Sequence, residues 1–201
     1  MRTSGLFMAL ILFGISAVNA QGQLPKDWTK SGVSSDDYDI SIDRDVKHAG
    51  KASCTVKSKA DAPKGSGVLV QLFRADDYRG KRLKVTAYVK SKDVEGWGGL
   101  WVRVDGKDKT GLAFDNMADR AIKGTADWKE FQVVLDVAAD AEEIFVGFLL
   151  IGKGQAWVDD FKVSAVGKDV ETTGKAPQPM DRAWKLSKDL PKAPRNLGFE
   201  E

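Results

Sequence analysis

Histidine and cysteine are nearly missing from this chain, and each scarcity removes a class of chemistry. The one histidine is His48, in a Lys-His-Ala-Gly turn. A single histidine cannot make a His-rich metal centre, and a Ser-His-Asp triad would have to use this turn residue as its base. The one cysteine is Cys54. No disulfide framework exists, so stability must come from a packed core. Ala52, Cys54 and Val56 share one apolar strand face, which makes Cys54 a small buried hydrophobe; a reactive or intermolecular thiol is the alternative. The chain also lacks a Gly-x-Ser-x-Gly elbow and a phosphate-cradling Gly-x-x-x-x-Gly-Lys-Ser/Thr loop, and Gly152-Lys153-Gly154 is a turn. Paired carboxylates for glycoside hydrolysis are formally available, but surface acids are too abundant for that signal to be specific. The expectation is no enzyme.

An excess of charge is lacking too. Lys and Arg number 31 against 29 Asp and Glu, and the lysines are interleaved with acids. Nucleic acid or an acidic membrane would favour a clustered basic face, so neither is expected as the partner. Long apolar runs are limited to Leu6–Val18, shorter than the roughly 20 residues a membrane helix needs. With Arg2 before it and Val18-Asn19-Ala20 after it, this run reads as a signal peptide over residues 1–20, cleaved after Ala20; an uncleaved anchor is the alternative. The mature protein is expected to be exported, periplasmic or extracellular, with no membrane span.

What the sequence does have is alternation. Asp39–Arg44, Lys51–Ser58, Arg82–Ser91, Leu100–Asp105, Trp128–Val137 and Gln155–Val166 each place apolar residues on one strand face, while Gly67–Phe73 and Glu143–Ile151 are nearly continuous apolar runs. Gly, Asp and Pro punctuate the breaks. This pattern predicts an all-β fold, an antiparallel sandwich of jelly-roll type, over residues 21–166. Residues 167–201 read as a polar connector, a short helix from Met180 in which Met180, Ala183 and Trp184 press on the sandwich, and a C-terminal tail. About 180 mature residues are enough for one such domain.

The ordered series Tyr78–Arg82, Ala87–Ser91, Gly96–Gly106, Leu112–Met117, Lys123–Trp128, Val133–Val137 and Gly152–Val163 resembles a small bacterial jelly-roll domain. That domain is found alone, or attached to erythromycin-esterase-like proteins and some transcription regulators. More distantly the series is similar to galactose-binding-like carbohydrate-binding modules. The resemblance covers about residues 35–166 and implies the fold more than the function. It also carries a departure. Such modules begin with an Asn-x-x-Phe-Glu strand, and here Asn196-Leu197-Gly198-Phe199-Glu200 lies at the other end. The expectation is that this segment returns to the first-strand slot and puts Phe199 in the core; a disordered tail or the start of a second copy are alternatives. By the same resemblance, Asp160 and Glu200 are the pair of oxygen ligands for a structural calcium, with a hydrogen-bonded Asp160 as the alternative. No other cofactor is expected.

The ligand-binding expectation rests on the Gly96–Met117 stretch, read as a hairpin about an Asp105–Gly111 turn. Leu100, Val102 and Val104 then face inward. Trp101, Arg103 and Asp115 become neighbours facing outward, where an aromatic ring can stack on a pyranose and a charged pair can bond hydroxyls. Gln71 joins them as the polar residue of an apolar strand, and Trp97 and Asn116 supply the rim. The expected partner is a carbohydrate or another polar envelope ligand, envelope protein included. The alternative is a structural or protein-interaction domain, with Trp101 covered and Arg103–Asp115 a plain cross-strand pair.

Overall fold

The computed structural model describes residues 22–174, 180–181 and 189–201. The expected signal segment and most of the expected C-terminal helix lie outside these residues. At the helix's expected start, Met180–Asp181 is a short strand paired with Lys109–Thr110.

The described residues form eleven strands in chain order: β1 (Thr29–Ser31), β2 (Tyr38–Asp43), β3 (Ser53–Ser58), β4 (Ser66–Arg74), β5 (Arg82–Gly106), β6 (Lys109–Thr110), β7 (Ala113–Asp115), β8 (Ile122–Asp136), β9 (Ala141–Ile151), β10 (Gln155–Val166) and β11 (Met180–Asp181). All pairings are antiparallel. The organising element is β5, whose 25 residues belong to both layers. Its first half pairs with β10 and β8, completing a layer ordered β2-β3-β10-β5-β8. Its second half pairs with β9 and β7, completing the layer β1-β4-β9-β5-β7. The two separate strands read from the sequence are thus one. The Gly-rich Gly96–Gly99 stretch lets it continue, because small residues allow the backbones of neighbouring strands to approach where β5 passes between layers. Gly99 shows the constraint: a Cβ there would stand 2.6 Å from the Asn116 carbonyl oxygen and 3.0 Å from Met117 Cβ.

The core lies between the layers. Ile40, Cys54, Val56, Leu83, Val85, Ala87, Val133, Leu135 and Val158 come from the first layer, and Leu69, Phe73, Leu100, Val102, Val104, Ile144, Val146 and Phe148 from the second. Leu100, Val102 and Val104 are fully buried, as their alternation requires. Cys54 is buried in the same cluster, and burial pushes its thiol pKa up, which keeps it protonated and unreactive.

The C-terminal tail closes one end of this core. Phe199 is fully buried and packs on Trp28 and Phe161 at ring separations of 5.1 and 6.1 Å. The segment is a turn at Leu197–Gly198 and forms no strand. Its hydrogen bonds are correspondingly irregular: Phe161 N donates to Leu197 O at 3.0 Å, and Trp28 Nε1 to Asn196 O at 3.0 Å.

Trp157, Asp159 and Phe161 share one face only if β10 is regular, and it is not. The ladder to β5 slips between Asp159 and Lys162, and Asp160 is left-handed with φ 50°. This bulge turns Phe161 into the core cluster while Trp157, also buried, lies on the other face of the strand and donates from Nε1 to Asp43 Oδ2 at 2.8 Å.

Candidate functional site

The residues expected to form one outward patch are distributed over three places. Across the β5–β7 ladder, Asp115 stands opposite Val102, and Arg103 stands opposite Phe114. The register differs by one residue from the expected hairpin, so Asp115 turns to the face opposite Trp101. Trp101 and Arg103 do stay together on the outer face. The Arg103 guanidinium lies 5.3 Å from the Trp101 ring and 4.3 Å from Phe145, and its carboxylate partner is Asp105 at 2.9 Å. Phe114 and Phe145 meet Trp101 edge-on at 5.9 and 6.0 Å. This ring stack is packed on itself. Trp97 is half-buried on the same strand, opposite Ile151.

Gln71 belongs to neither group. It shares the core-facing side of β4 with Leu69 and Phe73 and is 2 % exposed. Its amide Nε2 donates to Arg195 O at 2.8 Å, and Oε1 accepts from Arg195 N at 2.6 Å. A polar residue in an apolar run is here a clamp for the returning tail, with both amide groups satisfied.

Asp160 and Glu200, the expected calcium ligands, each hold another group. Asp160 Oδ2 meets His48 Nδ1 at 2.7 Å, while Glu200 Oε1 accepts the Lys51 N–H at 2.8 Å. Among the described residues no group of three or more His, Cys, Asp or Glu side chains is placed to hold a metal.

On its own side of the hairpin, Asp115 builds something else. Its carboxylate accepts from Met117 N at 2.8 Å, from Thr173 Oγ1 at 2.6 Å and from Arg120 Nη2 at 2.6 Å. Asn116 Oδ1 accepts from Ala118 N at 3.1 Å, opening the short 3-10 turn Ala118–Arg120. Met117 enters that turn left-handed, with φ 63°, which is strained for a residue with a side chain. Its buried thioether accepts the Leu100 N–H at 3.3 Å. Burial works against the Arg120 charge, but Asp115 and Asp119 outweigh it and hold the guanidinium pKa above its ordinary value.

The turn and the open edge of β8 enclose a cleft of about 520 Å³. Met117 and Arg120 form one wall, Lys129–Gln132 the other, and Thr173 of the connector borders it. Arg120 Nη2 also donates to Gln132 O at 3.1 Å, and Thr173 bonds the Val134 backbone, so the turn and the connector are both tied to β8. Phe131 is half-buried against the core edge, and the Lys129 ammonium sits 5.5 Å from its ring. The cleft therefore combines an apolar ring with exposed Lys129, Glu130 and Gln132 and a fixed guanidinium. Sequence reasoning missed it because Arg120 and Thr173 reach β8 from a turn and a connector, which strand alternation does not place. The available signal was the Asp115–Arg120 spacing around a turn.

Trp128 lies outside the core cluster. It is half-exposed on the outer face, its ring centroid 5.7 Å from that of His48 in an edge-on arrangement. His48 in turn stacks on Tyr88 at 3.6 Å and an interplanar angle of 11°.

No family model matches the chain. It is 36% identical over 177 residues to the uncharacterised helix-turn-helix transcriptional regulator YbfP of Bacillus subtilis strain 168, covering 88% of this chain. The chain spans 57% of that relative's length. Among solved structures, the enzymatically active domain of tailspike protein 4 of bacteriophage CBA120 matches 75% of this chain and 21% of its own, with a TM-score of 0.54 at 14% identity. A cyclase from Fischerella sp. TAU matches with a TM-score of 0.52 at 13% identity, over 72% of this chain and 87% of its own. The tandem CBM22 domain of Paenibacillus barcinonensis Xyn10C matches with a TM-score of 0.50 at 16% identity, over 77% and 45%. These likenesses establish an antiparallel jelly-roll sandwich.

Proposed function

We propose that this chain is an exported, non-catalytic carbohydrate-binding module of the cell envelope that holds its saccharide in the cleft between the Met117–Arg120 turn and β8. The observation that carries the reading is the cleft itself, with Phe131 beside Arg120, Lys129, Glu130 and Gln132. A pyranose has an apolar C–H face and a rim of hydroxyls. The Phe131 ring serves the first, and the polar side chains serve the second. The paired Asp115 and Asp119 offset the Arg120 charge, and Lys129 stands beside Glu130, so the lining suits a neutral sugar. The CBM22 neighbour supports a sugar as the ligand. Binding of fluorescently labelled protein to a glycan array tests this: retention on neutral glycans that is lost in Lys129→Ala/Gln132→Ala supports it, and equal retention of both proteins removes the cleft.

A second reading is a structural or protein-interaction domain. It is favoured by the Trp101–Phe114–Phe145 stack, where Phe114 is 37% exposed and no hydroxyl-binding pair remains at Asp115. In that case the Phe114 surface, and not the cleft, carries the contact.

A further inference from the structure

Apart from the cleft, the loop between β2 and β3 places one imidazole with unusual care. The Asp159 carboxylate, 1% exposed, accepts the backbone N–H groups of His48 at 2.9 Å and Ala49 at 3.2 Å. Burial raises the Asp159 pKa, and the three backbone donors of Ala49, Asp160 and His48 oppose that rise. The left-handed Asp160 aims its own carboxylate at His48 Nδ1, 2.7 Å away. At the far end of the loop, Gly50 is left-handed with φ 59°, and Glu200 of the tail holds the Lys51 N–H. The imidazole is thus fixed on one ring face by Tyr88 and at one nitrogen by Asp160, yet its side chain stays 30% exposed. No described residue bonds its Nε2.

Trp128 stands against this imidazole at an interplanar angle of 64°, making a corner of indole and imidazole. Nearby, Lys90 pairs with Asp127 at 2.8 Å, and the Asp160 carboxylate faces His48 Nδ1. A carboxylate at Nδ1 draws a proton there, so in the neutral ring Nε2 accepts a hydrogen from a ligand. A neutral, hydroxyl-bearing ring with an apolar face fits those features.

We propose that the His48–Trp128 corner is a second saccharide-binding site, separate from the cleft, in which Trp128 packs on one pyranose and His48 Nε2 accepts a hydroxyl hydrogen. Asp160 and Asp159 are positioning residues: they act through His48 and its loop. Both sites are carried by β8, which contributes Trp128 to one and Lys129–Gln132 to the other. One glycan crossing this strand engages both, and the second contact then forms at high effective concentration. The use of a sugar rests on the function proposed for the cleft.

The test uses the full chain in affinity electrophoresis through gels containing xylan, hydroxyethyl cellulose or glycol chitin, and titration calorimetry with xylo-, cello- and chitohexaose. The variants are Trp128→Ala, His48→Asn and the cleft double variant Lys129→Ala/Gln132→Ala, each checked by thermal unfolding. His48→Asn keeps the test decisive where Trp128→Ala fails to fold. The expected result is a loss of at least tenfold in retardation for the Trp128 or His48 variant, with a hexaose site still present in the cleft. Unchanged retardation in both corner variants overturns this site and leaves the cleft standing. Loss in the corner variants with no effect of the cleft variant keeps this site and removes the cleft. A wild-type chain that none of the gels retards and no hexaose binds overturns both.

Discussion

Asp115 stands directly across from Val102, and its carboxylate receives the Arg120 guanidinium at 2.6 Å. That one relationship sets the geometry of the cleft. It orients the left-handed Met117, fixes Arg120 against Gln132 and ties Thr173 of the connector to the edge of the sandwich.

Replacing Asp115 by Ala therefore leaves the Met117 N–H without its acceptor and takes the shortest bond from both Arg120 and Thr173, which keep only Asp119, Gln132 O and Val134 O. Charge-assisted hydrogen bonds of this kind contribute about 1.5–3 kcal/mol, so a stability loss of roughly that size is expected. Urea unfolding measures it. The Arg120→Ala variant should lose less, because the Asp115 carboxylate retains Met117 and Thr173 as donors.

Gly99→Ala probes the same turn from the other strand. The new Cβ would stand 2.6 Å from the Asn116 carbonyl oxygen, and backbone cannot move aside as a side-chain tip can. Displacement of the Met117–Arg120 turn is expected, seen as shifted amide resonances over 115–121 and weaker glycan binding. Gly80→Ala is the control for backbone strain without a clash: Gly80 has a positive φ, which Gly99 does not, and has nothing within 4 Å of a Cβ. It should leave binding unchanged.

The inward half of this arrangement was legible in the sequence, and the outward half was not. Leu100, Val102 and Val104 face inward because strand alternation has a period of two and only apolar side chains can be fully buried without partners. The same reasoning placed Cys54 and Val56. It failed where one residue changes the parity. The β5–β7 register puts Asp115 opposite Val102, and the Asp160 bulge separates Phe161 from Trp157. Register depends on turn geometry and pairing partners far away in sequence, which alternation does not encode. Gln71 failed for a different reason: its partner is the backbone of Arg195, 124 positions away. His48 went unassigned because its partners Tyr88, Trp128 and Asp160 come from three other strands.

The tail is expected to be part of the fold's stability. Phe199→Ala removes a fully buried ring from contact with Trp28 and Phe161 and should cost about 3–5 kcal/mol. Gln71→Leu leaves the Arg195 N–H and C=O unpaired and should cost about 1–3 kcal/mol. Both are read from denaturant midpoints. Removing residues 195–201 without lowering the melting temperature would contradict the packing of this segment.

Among the described residues Asp136, Asp127 and Glu201 have lowered carboxyl pKa values, and the largest shift is at Asp136. Hydrogen bonds from Arg82 and then Lys168 lower the Asp136 pKa from 3.8 to about 2. A carboxylate with a depressed folded-state pKa stabilises the fold above its unfolded value, and that contribution is lost as the pH falls through the folded value. The stability difference between wild type and Asp136→Asn should be present at pH 6 and shrink between about pH 4 and pH 2. Asp136 is half-exposed, so solvent screening keeps the difference small. A difference that is constant across this range would contradict the assignment.

The central claim is that a saccharide occupies the β8 cleft. Amide resonances of the full ¹⁵N-labelled chain, followed during titration with the oligosaccharide that binds best on the glycan array, test it most directly. The expected result is that the largest shifts fall on Lys129, Glu130, Phe131 and Gln132, with the Arg120 side chain moving in step. Shifts centred on Trp101, Arg103 and Phe114, with those cleft resonances unmoved, would contradict it.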